Sequence, residues 1–257
     1  MDRECLDASA GTYTHVIQRI HPDAESVHVV HGRAPDIDAD RAAVDAALGL
    51  ATDTDTPVFR VWAPHRQVAF GRRDAREDGY DTARAIADRR GYPPIERRVG
   101  GRAVAYTGTT ISFAVVLPTA EPRSGIGARY DAATDGVIRA LRTLDVPARR
   151  GEPDAAFCPG EHSVQAHGKI AGIAQRVRRD AALVSGIVVT TDHEELAAVL
   201  DPVYDALGLP FDPGSVGSVA YGGDTVDPNS VVDTLLDAFC EGLQRDLVDV
   251  AALSDDG

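Results

Sequence analysis

Lysine is almost missing from this chain: 25 of its 26 cationic residues are arginine, and the single ammonium is Lys169. Cysteine is scarce too. Cys5, Cys158 and Cys240 are odd in number and widely spaced, which excludes a disulfide framework of the secreted kind. No run is long and apolar enough to span a bilayer, and Met1-Asp2-Arg3-Glu4-Cys5 lacks the apolar core of a signal peptide, so a soluble cytoplasmic protein is expected. Positive charge is in deficit, with 40 acidic residues against 26 basic ones and a net charge of −14. Such a surface repels nucleic acid and anionic membranes, and neither is expected as a partner. There is no internal repeat, and no low-complexity tract beyond a short acidic tail.

What is present reads as α+β: a mixed β-sheet with flanking helices in one catalytic domain over 26–257, preceded by an irregular arm over 1–25. Strands are expected at Ser26–Val30, Val58–Trp62, Gln67–Phe70, Ile95–Arg98 and Ala103–Tyr106. The second and third form a hairpin through Ala63-Pro64-His65-Arg66, and the last two flank a glycine turn. Ile111–Leu117 and Val184–Thr190 are nearly continuous apolar runs and suit strands buried on both faces. Val164–Ala166 and Lys169–Val177 make a hairpin around His167-Gly168. Helices are expected near 38–50, 80–90 and 128–144, in a short segment capped by Asp192, and over 228–250 with Leu243 and Leu247 on its apolar side.

Two segments can carry chemistry. Arg97-Arg98-Val99-Gly100-Gly101-Arg102-Ala103-Val104 holds two glycines, which permit positive φ and close approach of another group to backbone N–H donors. It is not a phosphate-binding P-loop, because no Gly-Lys-Ser/Thr follows. Phe157-Cys158-Pro159-Gly160 puts a thiol at a tight turn, and Lys169 follows eleven positions later, within reach if the hairpin folds back. A thiol reacts as thiolate, and a nearby cation favours that form. Cys240, among Leu236, Phe239 and Leu243, reads as a small buried hydrophobe. Cys158, His162 and His167 offer a rival reading as a metal loop, but the set stops at three and lacks a zinc spacing, so no metal is expected.

The Arg97-Arg98-x-Gly100-Gly101-Arg102-Ala103-Val104 segment, followed about 70 residues on by Lys169-x-Ala171-Gly172-x-x-Gln175-Arg176, resembles the biotin/lipoate protein ligase and lipoyl-transferase superfamily. With Cys158-Pro159-Gly160 it is most similar to the cysteine-dependent octanoyl/lipoyl amidotransferases. The resemblance implies a biotin/lipoate ligase-like catalytic domain. It also implies transfer of an octanoyl or lipoyl group to a lysine of a lipoyl carrier domain. Partners would be the glycine-cleavage H protein and lipoyl domains of 2-oxoacid dehydrogenases, with no cofactor. By the same resemblance Cys158 is the acyl-thioester nucleophile, and Lys169 lowers its pKa and contacts the acyl carbonyl. Arg98, Gly100, Gly101, Arg102 and Ala103 border the acyl slot, and Gly172 and Gln175 face it. Arg102 stands where ATP-dependent lipoate ligases carry a third glycine, and Tyr106-Thr107 where they carry a His-Asp pair. The alternatives are such a ligase, with ATP and Mg²⁺, or a lipoate-binding accessory protein without turnover.

The acidic, lysine-poor composition is of the kind salt-loving microbes use, and self-repulsion among these carboxylates is screened by salt. The melting temperature should therefore rise between about 0.1 and 2 M KCl, on a scale set by the Debye length falling from about 10 Å at 0.1 M toward 3 Å at 1 M. A flat or falling scanning-calorimetry series would show that charge repulsion does not limit stability.

Overall fold

The computed structural model describes residues 15–97, 101–221 and 226–254. Its main sheet is built from β1 (Ser26–His31), β2 (Val58–Trp62), β6 (Ile111–Pro118), β7 (Arg149–Arg150), β8 (Ser163–Gln165), β9 (Lys169–Val177), β10 (Ala181–Val188) and β11 (Gln244–Asp249), in the order β11-β1-β2-β6-β10-β9-β8-β7. The β11-β1-β2 end is parallel, and every later pairing is antiparallel. A second sheet holds β3 (Gln67–Phe70) between β4 (Pro94–Glu96) and β5 (Val104–Tyr106). The mixed sheet with flanking helices is as the sequence suggested.

Strand β6 shows why the sheet is central, since all eight of its residues are buried. Alternation sends Phe113, Val115 and Leu117 toward α1 (Val16–Ile20), α4 (Ile126–Thr143) and α6 (Pro228–Cys240). It sends Ala114 and Val116 toward α2 (Ile37–Thr54). A third cluster joins the small sheet to α3 (Tyr80–Arg89) and α5 (His193–Ala206). No helix among the described residues is long and apolar enough to cross a membrane.

Several expectations are corrected. Strands β2 and β3 are not a hairpin. Both edges of β2 are already taken by β1 and β6, so the chain leaves the main sheet after Trp62 and starts the second one. The glycine segment does not join paired strands either, because β3 lies between β4 and β5. The N-terminal arm is shorter than expected: Val16 and Ile17 are buried in the main core, and residues 1–14, with Cys5, lie outside the described residues. The last helix stops at Cys240. Gly242, at φ +80°, turns the chain, and Gln244–Asp249 pairs with β1 as an edge strand that leaves Leu247 70% exposed. Asp192 does not cap α5 with its side chain; its carboxylate accepts from Thr109 Oγ1 at 2.8 Å, and the helix runs fourteen residues.

Phe239 stacks on Phe59 at 5.0 Å and meets Phe113 at 5.1 Å between ring centres, fully buried. Phe239→Ala should cost about 3–5 kcal/mol in a urea titration with little change in slope, as aromatic truncation in a packed core does.

Candidate active site

The hairpin of β8 and β9 carries Lys169 back beneath the loop that follows β7. Its ammonium is 1% exposed, and its partners are all within that loop. Nζ donates to both carboxylate oxygens of Glu152 at 3.0 Å, to the Phe157 carbonyl at 3.0 Å and to the Cys158 carbonyl at 2.8 Å. Burial lowers the Lys169 pKa, and the Glu152 charge opposes that. Glu152 also accepts from the Gly160 N–H at 3.2 Å, tying both sides of the Cys158 turn.

Cys158 has φ +42°, left-handed backbone directly before Pro159. A β-carbon disfavours that region, and a following proline pushes its predecessor toward extended backbone. Such a conformation costs roughly 1–3 kcal/mol and persists only where surroundings hold it. Here they hold both ends of the residue. The Cys158 N–H donates to Tyr204 Oη at 2.6 Å, the Tyr204 hydroxyl donates to the Ala103 carbonyl at 2.9 Å, and Lys169 takes the Cys158 carbonyl. Tyr204 is buried, and burial raises its pKa well above the usual tyrosine value, so it serves as a neutral donor.

The sulfur faces different groups. Arg97 Nη2 donates to Sγ at 3.1 Å, and the Arg102 backbone N–H points at it from 3.4 Å. Arg97 Nη2 also bonds the Arg102 carbonyl. Burial works against the Arg97 charge, but Cys158 and Tyr106 outweigh it and raise the guanidinium pKa. Gly101 makes this approach possible: it sits at φ +96°, and a β-carbon there would lie 2.7 Å from Sγ and 2.9 Å from Arg97 Nη2.

A cleft of about 900 Å³ opens from Cys158. Val104, Phe113, Ile173, Leu183 and Ile187 give it apolar walls, so β6 and β10 contribute to the slot as well as to the core. Gly172 lines the same cleft, with Lys169 Cε 3.5 Å from where its β-carbon would be. Gln175 lines it too, but its amide accepts from Arg129 and donates to the Ile126 carbonyl, both at 2.8 Å, holding the start of α4.

Among the anticipated residues, Cys158, Lys169, Gly101, Arg102, Ala103, Gly172 and Gln175 therefore gather here. Arg102 contributes through its backbone, since its side chain pairs with Glu77 at 2.6 Å and Asp74 at 3.5 Å. Ala103 contributes its carbonyl. Arg98 and Gly100 lie outside the described residues. His162 stacks on Tyr130 and His167 on Tyr221, and among the described residues no group of three His, Cys, Asp or Glu is placed to hold a metal. Cys240 is fully buried on α6, and burial pushes its thiol up to about 12. Sequence reasoning missed Glu152 and Tyr204 and gave Arg97 no role. Only Arg97 carried a signal, as the first residue of the glycine motif.

The lipoyl protein ligase A/B catalytic domain model matches residues 39–240. The chain belongs to that family. An octanoyl-[GcvH]:protein N-octanoyltransferase of Oceanobacillus iheyensis is 26% identical over 62% of this chain and 57% of its own length. A lipoyl-[GcvH]:protein N-lipoyltransferase of Listeria monocytogenes is 27% identical over 52% of each chain. The chain thus spans little more than half the length of these relatives. Among solved structures, lipoate-protein ligase A bound with ATP shares the fold at a TM-score of 0.69 and 22% identity, over 89% of this chain and 92% of that one. A bi-partite lipoate protein ligase from Thermoplasma acidophilum does so at 0.65 and 20%, over 89% and 90%.

Gly101→Ala should lower stability by about 1–3 kcal/mol, the usual scale of a strained left-handed residue. It should also slow alkylation of Cys158, because the new methyl occupies the contact between Sγ and Arg97. A urea melt and peptide-level iodoacetamide kinetics check the two effects separately.

Proposed function

We propose that this family member is an acyltransferase that moves an octanoyl or lipoyl group to a lysine of a lipoyl carrier domain through a thioester on Cys158. One observation carries the reading: Cys158 Sγ stands at a cleft with apolar walls, with a guanidinium at 3.1 Å and a backbone N–H at 3.4 Å. A nucleophile beside a slot suited to an acyl chain, with donors trained on the sulfur, is an arrangement for acyl transfer. The names of the relatives, octanoyl-[GcvH]:protein N-octanoyltransferase and lipoyl-[GcvH]:protein N-lipoyltransferase, point the same way.

In the first half-reaction the sulfur attacks the acyl carbonyl of the donor. The C–S bond forms, the donor's C–N bond breaks, and the leaving lysine amine takes up from water the proton that the thiol released to water on ionising. In the second, the acceptor lysine attacks the thioester, the C–S bond breaks, and the new amide's proton is released as the sulfur recovers its charge. Each carbonyl oxygen gains negative charge in passing, and the Arg102 N–H, aimed at the reacting sulfur, is a backbone donor at hand. The cleft walls Phe113, Ile173 and Leu183 would hold the chain, with Gly172 leaving room along β9. An amide donor already holds the acyl group, so neither ATP nor Mg²⁺ is needed. The glycine-cleavage H protein serves as donor and lipoyl domains of 2-oxoacid dehydrogenases as acceptors, in the cytoplasm.

Intact-protein mass spectrometry after incubation with an octanoylated carrier, without ATP and at high salt, tests this. The expected result is a hydroxylamine-sensitive octanoyl adduct in the wild type that is absent in Cys158→Ala. No adduct, with transfer to a lipoyl domain only when free lipoate and ATP are supplied, would replace this reading with a ligase.

A further inference from the structure

We propose that the two cations at this site divide the work: Arg97 is the catalytic cation that pairs with the Cys158 sulfur, and Lys169, clamped by Glu152, is a positioning residue that holds the cysteine turn in its left-handed form. The assignment rests on the thioester reading above and departs from the role that resemblance gave to Lys169.

The hydrogen bonds separate the two. An ammonium has three protons, and Nζ of Lys169 already faces four acceptors, none of them Sγ: two oxygens of Glu152 and the carbonyls of Phe157 and Cys158. Its charge is matched at once by Glu152, and the sulfur, though close enough to feel the ammonium, is not among its hydrogen-bond partners. Arg97 differs in both respects. Its Nη2 touches Sγ, and among the described residues it makes no carboxylate salt bridge. Among the described residues its buried Nε has no hydrogen-bond partner.

The other titratable groups around the sulfur do not replace it. Tyr106 on β5, half-buried, and Tyr204 on α5, fully buried, are phenols whose pKa values are raised by desolvation, so they bring no positive charge. Asp74 stands behind the glycine segment, 3.5 Å from Arg102 Nη1, and accepts from the Gly71 N–H at 2.8 Å. Glu161 and His162 line the same cleft beyond Pro159, with burial lowering the imidazole pKa. The cation in contact with sulfur is Arg97. A guanidinium suits the place because its planar fork brings one nitrogen, Nη2, against both Sγ and the Arg102 carbonyl, so it holds Arg102 while it faces the sulfur.

Two readouts that need no acyl donor separate these roles. One is the rate of iodoacetamide alkylation of Cys158, followed on its peptide; the other is hydrogen exchange of the backbone over 155–160. Arg97→Gln should slow alkylation at neutral pH by about tenfold or more, with exchange of the cysteine turn unchanged. Arg97→Lys, which keeps charge but loses the fork, should fall between it and the wild type. Lys169→Met should raise exchange across 155–160, and Glu152→Gln, which keeps the side-chain shape, should do the same if the lysine variant does not fold. Arg97→Gln alkylating at the wild-type rate would overturn the assignment, as would Glu152→Gln leaving exchange of the turn unchanged. Arg97-dependent alkylation without any octanoyl adduct would uphold the assignment and sink the acyltransferase reading. An adduct with Arg97-independent alkylation would do the reverse.

Discussion

The ammonium of Lys169 is the fixed point from which the candidate site is built. It is buried at the start of β9 and draws together an acidic side chain and two carbonyls from a loop with little secondary structure of its own. Burying one charge is expensive; burying it against a carboxylate and two carbonyl oxygens is tolerable, because each remaining proton finds an acceptor. Removing one partner of such a pair typically costs about 3–5 kcal/mol, since the other charge stays buried alone. That asymmetry makes the loop sharply defined rather than merely stable. The same magnitude covers the strain at Cys158. A left-handed residue before proline costs roughly 1–3 kcal/mol, and two ties to its own N–H and C=O, at about 1 kcal/mol each net and more for the charged donor, offset it. Cys158 is thus aimed by its backbone, leaving its sulfur free for Arg97 and the Arg102 N–H.

The fold supplies this arrangement from four separate stretches of chain. Lys169 comes from a sheet hairpin, Glu152 and Cys158 from the loop before it, Arg97 and Gly101 from the crossing between the outer strands of the small sheet, and Tyr204 from α5. The crossing matters most. Because β3 lies between β4 and β5, the chain from Glu96 to Val104 joins strands that are not neighbours, and Gly101 lies against the cysteine. The β-carbon that Gly101 lacks is what the sulfur needs gone. A glycine that reads in sequence as a turn former serves here to let two side chains approach.

Much of the main sheet was legible in the residues. The apolar runs of β6 and β10 announced strands covered on both faces, and the glycine between β8 and β9 announced the hairpin that returns Lys169 to Cys158. Periodicity did less well where one pattern served two structures. The apolar spacing of α6 runs on through Leu243 and Leu247, and only Gly242 marks the break before β11. Strand partners were not legible either: the closeness of β2 and β3 in sequence suggested a hairpin, while the occupied edges of β2 forbid it. Within the site, Cys158 and Lys169 stood out because thiols and ammoniums are rare in this chain. Glu152 and Tyr204 did not, because carboxylates are abundant here and a tyrosine on an amphipathic helix looks like core.

Solved relatives of this fold include a ligase with bound ATP, so architecture alone does not distinguish activation of a free acid from transfer of an existing acyl group. The distinction lies in what stands at the mouth of the cleft. Adenylation needs donors aimed at phosphate oxygens, and a cysteine held there in a strained conformation would contribute nothing to it. The strain at Cys158 is sustained by the buried ammonium of the Lys169–Glu152 pair and by a buried tyrosine, which between them bond both ends of that residue. Strain supported by that much dedicated structure makes sense where the strained atom itself reacts, because preorganising a nucleophile lowers the barrier only for steps in which that nucleophile takes part. The geometry around Sγ therefore weighs more heavily on the choice of chemistry than the whole of the fold that surrounds it.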